Sequence, residues 1–318
     1  MNIFVIALSI LLLLPRTFAA TPADSNIINF KNSNASTLKH QHMLTNTGIL
    51  VDDTNINKKT LLAERLLSIF YKNTTNRDIC EDTPFMKEVA IGSCSGVLIK
   101  PNLVATAGHC VDRNILSKTW FFNYQYGENL SLKKGYKVQK IIFKDFDLIK
   151  SYFSDKLKVI NQQRQLIGVL PLPADIHDYS SYRDIALLEL SESVVGYIPF
   201  TINFSPFLAG RKAISVGHPL GLSLKQNSVG TLKSMASPHY MTTNIEILQG
   251  NSGGPLFDYE TGDLIAITVN QGLNSIFGLK KELRCYGFKA ETGNKEDIEY
   301  LSGHMTLTQV KKYIFTTK

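Results

Sequence analysis

Residues 94–110 read CSGVLIKPNLVATAGHC. Two short apolar runs, 96–99 and 103–107, are parted by Lys100, Pro101 and Asn102. Runs this short, rich in β-branched residues and broken by Pro and Asn, read as strands and turns. The same grammar continues outward, at 120–124, 138–143, 185–190, 213–216, 245–248 and 264–269. Many short strands between turn signals predict an all-β sandwich or barrel. The last segment, 307–315, sets Leu307, Val310, Ile314 and Phe315 at helical spacing and is expected to end the domain as a packed helix. The chain carries no internal repeat.

The N-terminal side has a different texture. Residues 3–14 are apolar except for Ser9, and small residues follow at Ala19, Ala20 and Ala23. A membrane-spanning helix needs about 20 apolar residues. The shorter run fits a signal peptide over 1–19, although no Lys or Arg precedes it and an uncleaved anchor is the alternative. Residues 20–75 are expected to be a propeptide or flexible arm, because 21–60 are rich in Asn, Thr, Lys and Ser. Within it LLAERLLSIFY, 61–71, reads either as a short helix closing the arm or as a first strand. The folded domain is then placed at 76–318.

Composition narrows the function. The apolar fraction is 44% and the charged fraction 19%, ordinary for a chain that buries a core. Thirty-four basic against 27 acidic residues give a formal charge of +7, yet there is no Lys/Arg block and no aromatic-basic stripe, so a nucleic-acid partner is not expected. Four cysteines in an exported chain suggest two disulfides, with three pairings open. No CxxC or zinc pattern occurs. His40 and His42 form the one close His pair, inside the polar arm. No metal or cofactor is therefore expected, and the mature chain is read as a secreted monomer, extracellular or periplasmic, free of the membrane.

Three motifs carry chemistry: TAGHC at 106–110, DIALL at 184–188 and GNSGGP at 250–255. A serine hydroxyl is a poor nucleophile until a base stands within hydrogen-bond reach. Glycines around Ser252 allow a tight turn and leave the amides of Gly250 and Ser252 available for a developing oxyanion. The alternative for this motif on its own is a Gly-rich turn between two strands. The base should be a histidine, whose ordinary pKa of about 6.5 suits proton transfer near neutrality. Among seven, His177, His239 and His304 sit in loop-like surroundings and His218 precedes a proline. Only His109 follows an apolar strand and is flanked by Gly and Cys. The third member must fix the imidazole tautomer. Asp184 heads an apolar strand, where a charge is costly unless paired. Its alternative role is a strand cap paired with Arg183; Asp145, Asp147 and Asp178 stand in polar loops.

The order His, Asp, Ser within these motifs resembles the chymotrypsin/trypsin family of serine peptidases from about Cys80 onward. The resemblance implies two packed six-stranded antiparallel β-barrels, about 76–195 and 196–318, with the site between them and a protein or peptide substrate. It implies His109, Asp184 and Ser252 as catalytic triad, Gly250 and Ser252 as oxyanion donors, and a Cys94–Cys110 disulfide, which leaves Cys80 and Cys285 for each other. Asn251 stands where the digestive members carry the Asp that pairs with a freed N-terminal amine. That zymogen switch should be absent, and a chain starting near residue 75 should be active. GNSG, with the GHPLG turn at 217–221, is similar to the bacterial glutamyl-endopeptidase-like branch. Residues 144–182 are expected to form a surface insertion near the cleft. Glu246, six residues before the nucleophile, would place an acid at the pocket base and favour Lys or Arg; its alternative is a solvent-facing strand position. Thr268 falls near the position where glutamyl peptidases use a His. An inactive binding relative would usually lose the His or Ser, which this chain keeps. A high-temperature-requirement protease is the other alternative; its C-terminal peptide-binding domain would have no room here.

Overall fold

A computed structural model describes residues 28–29, 40–56, 76–146, 182–204, 208–270, 277–280, 284–288 and 301–316, apart from positions 82 and 228, together with Ser68 and Lys72. The signal-peptide reading, most of 61–71 and the core of the expected insertion at 144–182 lie outside the described residues.

Twelve strands make two closed rings. The first barrel contains β1 (Thr47–Asp52), β2 (Gly92–Lys100), β3 (Leu103–Thr106), β4 (Lys118–Phe122), β5 (Tyr136–Phe146) and β6 (Asp184–Leu190). They pair antiparallel in the order β1-β2-β3-β6-β5-β4, and β4 returns to β1. The second contains β7 (Lys212–Gly217), β8 (Gly230–Ser237), β9 (Tyr240–Thr243), β10 (Pro255–Asp258), β11 (Leu264–Asn270) and β12 (Ser302–Met305). Its ring runs β7-β8-β9-β12-β11-β10 and closes through Leu256↔Ser215 and Phe257↔Ile214. Closure removes the open edges that would otherwise pair with other chains. Outside the rings, Lys225–Gln226 adds to β7 and Ile28–Asn29 adds to Lys225–Gln226. A separate hairpin joins Phe277–Lys280 to Cys285–Phe288.

The first ring corrects the expected domain boundary. Residues 20–75 were placed outside the domain, yet β1 supplies Ile49, Leu50 and Val51, all fully buried, and pairs on both sides. A domain begun at residue 76 would lack one stave of the barrel. The misreading has a local cause: the three apolar residues stand inside a stretch rich in Asn, Thr, Lys and Ser, and that polar context sets the reading. His42 is likewise packed rather than loose. Its Nε2 lies 2.8 Å from the Gly262 carbonyl, and its ring stacks on Phe200 at 5.1 Å.

One apolar cluster runs through both barrels, from Val97, Leu103 and Leu187 to Ile214, Phe257 and Ile267. The C-terminal segment is a 3-10 turn, Leu307–Val310, followed by the short helix Lys311–Thr316. Leu307, Val310 and Ile314 join the cluster, and Tyr313 meets Phe143 of β5 at 5.1 Å. Phe315 departs from the expected stripe and is 70% exposed. Two further expectations are corrected. Residues 245–248 form no strand but an irregular stretch leading into the turn at 249–250, and His304 lies in β12 rather than a loop.

Candidate active site

The site assembles where the first barrel's β3 and β6 meet a turn of the second. β3 ends at Thr106, and Gly108, His109 and Cys110 form a single 3-10 turn. A Cβ at Gly108 would come within 2.8 Å of Phe146 Cβ and 3.1 Å of the Ile185 amide, so only glycine lets this turn lie against β6. The Cys94–Cys110 disulfide fastens the far side of the turn to β2. Both sulfurs and a His109 ring nitrogen fall within 4.8 Å of one another, but the sulfurs are bonded to each other and offer no thiolate to a metal.

Asp184 opens β6 with its side chain 1% exposed. It accepts from the His109 backbone amide at 2.8 Å through one oxygen and lies 2.7 Å from His109 Nδ1 through the other. A carboxylate that deep is tolerated because both oxygens are hydrogen-bonded. Tyr182 Oη adds a longer contact of 3.5 Å. Arg183 does not cap Asp184: its guanidinium reaches Asp145 at 3.8 Å and the Tyr182 carbonyl at 2.8 Å. His109 stays about one-third exposed, so its ring reaches from a buried anchor toward the cleft.

Ser252 sits in the turn before β10. The Ser95 amide donates to the Ser252 carbonyl at 2.8 Å, tying the turn to β2. Gly253 follows with φ of +82°, and a Cβ there would come within 2.1 Å of Thr106 Oγ1 and 2.8 Å of the Ala107 amide. The turn therefore lies directly on the segment that carries His109. Gly250, at φ +94°, adopts the left-handed backbone that favours glycine. Among the described residues, neither the Gly250 nor the Ser252 amide has an intramolecular acceptor. Ser95 Oγ donates to the Gly250 carbonyl at 2.8 Å and accepts from the His218 amide at 2.8 Å. No sequence signal singled out Ser95 or Tyr182, since their roles depend on contacts across the fold.

Glu246 is half-buried in the irregular stretch before the turn, and its carbonyl accepts from the Asn227 side chain. Thr268 is fully buried on β11. Its backbone accepts from the Gly253 amide at 2.6 Å and donates to the Gly254 carbonyl at 2.8 Å, so it braces the turn that carries Ser252. Its hydroxyl meets His304 Nδ1 at 3.2 Å and Ser215 Oγ at 3.3 Å, inside the barrel. His304 is fully buried, and burial pushes its pKa down to about 3; its other ring nitrogen is satisfied by Thr243 Oγ1 at 2.9 Å. Beside Gly250 a cavity of about 330 Å³ opens, lined in part by Asp52, Ser93, Lys118 and Gln249.

Two antiparallel barrels, with a buried aspartate holding His109 and a glycine-flanked turn carrying Ser252 packed on the same segment, define a chymotrypsin-like architecture. The chain belongs to the trypsin-like peptidase domain family, whose model matches residues 94–267. Over 134 residues it is 31% identical to the serine protease Do-like HtrA of Lactococcus lactis subsp. lactis (strain IL1403), a match covering 36% of this chain and 33% of that protein. The corresponding protein of Lactococcus lactis subsp. cremoris (strain MG1363) is 30% identical over the same length and shares. The chain thus spans about a third of the length of these curated relatives. A solved structure of Glu endopeptidase in complex with MPD aligns at 15% identity and a TM-score of 0.42, covering 70% of this chain and 83% of that one.

Proposed function

We propose that the protein is a serine endopeptidase using Ser252 as nucleophile, His109 as general base and Asp184 as the group that orients the imidazole. The observation that carries this reading is the doubly bonded, buried Asp184 holding His109 by both its backbone amide and Nδ1. With Nδ1 committed to Asp184, the remaining ring nitrogen is left to take a proton from Ser252 and return it to the leaving amine. Attack on the scissile carbonyl forms an acyl-enzyme, and the amides of Gly250 and Ser252 stabilise the tetrahedral oxyanion that precedes it. A donor of this kind is worth about 3–4 kcal/mol in the transition state.

The substrate is a protein or peptide, and Glu246 directs cleavage after Lys or Arg. The apolar run at 3–14 and the two disulfides, Cys94–Cys110 and Cys80–Cys285, support secretion into an oxidising compartment. Membership in the glutamyl-endopeptidase-like branch rests on GNSG and the turn at 217–221 alone. A fluorophosphonate probe tests the central assignment. The purified protein should take one label, at Ser252, and Ser252→Ala should lose both label and peptide hydrolysis while keeping its fold. Turnover of the Ala variant within about tenfold of the parent would sink the assignment.

A further inference from the structure

Next to the nucleophile, the Asn251 backbone closes the turn, donating to the Leu248 carbonyl at 3.1 Å and accepting from the Gly254 amide at 2.8 Å, but its side chain adds nothing to that hold. Its carboxamide is fully buried, and among the described residues neither its nitrogen nor its oxygen has a hydrogen-bond partner. Besides Ser95 and Thr268, the loop 218–222 that follows β7 supports the turn from outside. The Leu220 amide donates to the Gln249 carbonyl at 2.6 Å. A Cβ at Gly250 would come within 2.7 Å of the His218 carbonyl and 2.9 Å of the Leu220 amide, so the loop lies flat against the peptide that presents the Gly250 amide.

That loop is in turn seated on the segment preceding β2. The Ile91 amide donates to the Gly221 carbonyl at 2.9 Å, and Gly221, at φ +74°, packs against the Gly92 backbone. Ile79 and Ala90 share a small apolar cluster with Leu222 and Leu248. At the centre of this contact is a buried ion pair. Lys225 Nζ, wholly inaccessible, lies 2.7 Å from Glu88 Oε2, and Ser223 Oγ bonds both, at 2.6 and 2.9 Å. The ammonium also sits 4.9 Å from the centre of the Phe85 ring. Burial lowers the Lys225 pKa, and Glu88 opposes that shift.

A buried ion pair is seldom the cheapest way to stabilise a fold, because apolar residues of similar volume often do as well or better. What it supplies is a fixed distance and direction between two segments. We propose that Glu88, Lys225 and Ser223 form a positioning cluster that fixes loop 218–222 and thereby aims the Gly250 amide at the oxyanion. The inference rests on the peptidase reading above and adds three positioning residues, all of them buried.

The test compares full-length parent, Glu88→Gln, Glu88→Asp and the double variant Glu88→Leu/Lys225→Met, with steady-state kinetics on a peptide amide and fluorophosphonate titration of Ser252. Misplacing an oxyanion donor should lower kcat by about 10- to 100-fold while KM stays within about threefold. Glu88→Asp, which keeps the charge, should recover much of the loss. The double variant should melt near the parent yet keep the low kcat, which separates positioning from stability if Glu88→Gln fails to fold. Unchanged kcat in the variants of a labelled parent overturns the inference alone. So does a loss explained by fewer titratable sites each turning over at the parental rate. A parent whose Ser252 takes no label overturns the peptidase reading, and this inference with it.

Discussion

At the scale of single residues, the site is a set of groups whose neighbours leave them few alternatives. Asp184 can only accept, and its two oxygens already meet the His109 amide and Nδ1. Asp184→Asn would keep the shape but present an NH₂ where an acceptor is needed, turning the imidazole to the wrong tautomer. We expect kcat to fall about 10⁴-fold with little change in melting temperature, checked by burst kinetics and thermal unfolding. Glu246 is the second residue whose charge is open to a direct test. A charge at a pocket floor shielded from water discriminates strongly, and an exposed one hardly at all. Glu246→Gln should reduce cleavage after Lys and Arg at least about tenfold and spare cleavage after apolar residues, as read from a peptide library. A parent that prefers Glu or large apolar residues would show that the floor lies elsewhere. The triad candidates were legible in the sequence because each needs a fixed residue type in a short motif. Ser95, Tyr182, Glu88 and Lys225 were not legible: their partners stand far away in the chain, and nothing local marks a serine or lysine as buried.

At the scale of elements, legibility followed what stands beside the apolar run. β6 carries four consecutive apolar residues, 185–188, while β2 and β3 carry three each, 97–99 and 103–105, and are legible because Pro101 and Asn102 mark the turn between them and TAGHC follows. β1 has only Ile49, Leu50 and Val51 between polar neighbours and was read as part of an arm. The stretch 245–248 erred the other way: its buried Ile245, Ile247 and Leu248 look like a strand but pack as an irregular lead into the turn that carries Ser252. His304 escaped because Ser302 and Gly303, just before it, break the apolar pattern of its strand. The structure reverses the expectation for a chain starting near residue 75. Removing β1 exposes the edges of β2 and β4 and opens the barrel that holds His109 and Asp184. We expect a protein lacking residues 1–75 to be insoluble or rapidly degraded by added protease, whereas one beginning at residue 28 should fold. Soluble, labelled protein from the shorter chain would show that β1 is dispensable.

At the scale of the whole molecule, two histidines make stability depend on acid. His218 lies between the barrels' contact loops and His304 inside the second barrel, both fully inaccessible. Burial pushes each pKa down to about 3, with the Leu222 carbonyl opposing the shift at His218. In the unfolded chain both should titrate near the ordinary value of about 6.5. Above that value neither state is protonated, and the histidines add no slope. As pH falls below it, the unfolded chain takes up protons that the folded chain refuses, so stability drops until the folded-state pKa is reached near 3. By pH 5 the loss should be about 2 kcal/mol per histidine, a large share of the stability of an ordinary domain. His42 and His239, also lowered mainly by burial, act with the same sign. The carboxylates do not account for this window. For Asp258, burial pushes the pKa up, but the Thr261 amide and Arg211 outweigh it and hold the group below its usual value, so its contribution is lost only under about pH 4. Urea unfolding between pH 7.5 and 4.5 should therefore show a midpoint that falls steadily below pH 6.5. His304→Gln should start less stable and fall with roughly half the slope. A parent midpoint that stays flat down to pH 5 would mean that these two rings can take up protons without leaving the fold.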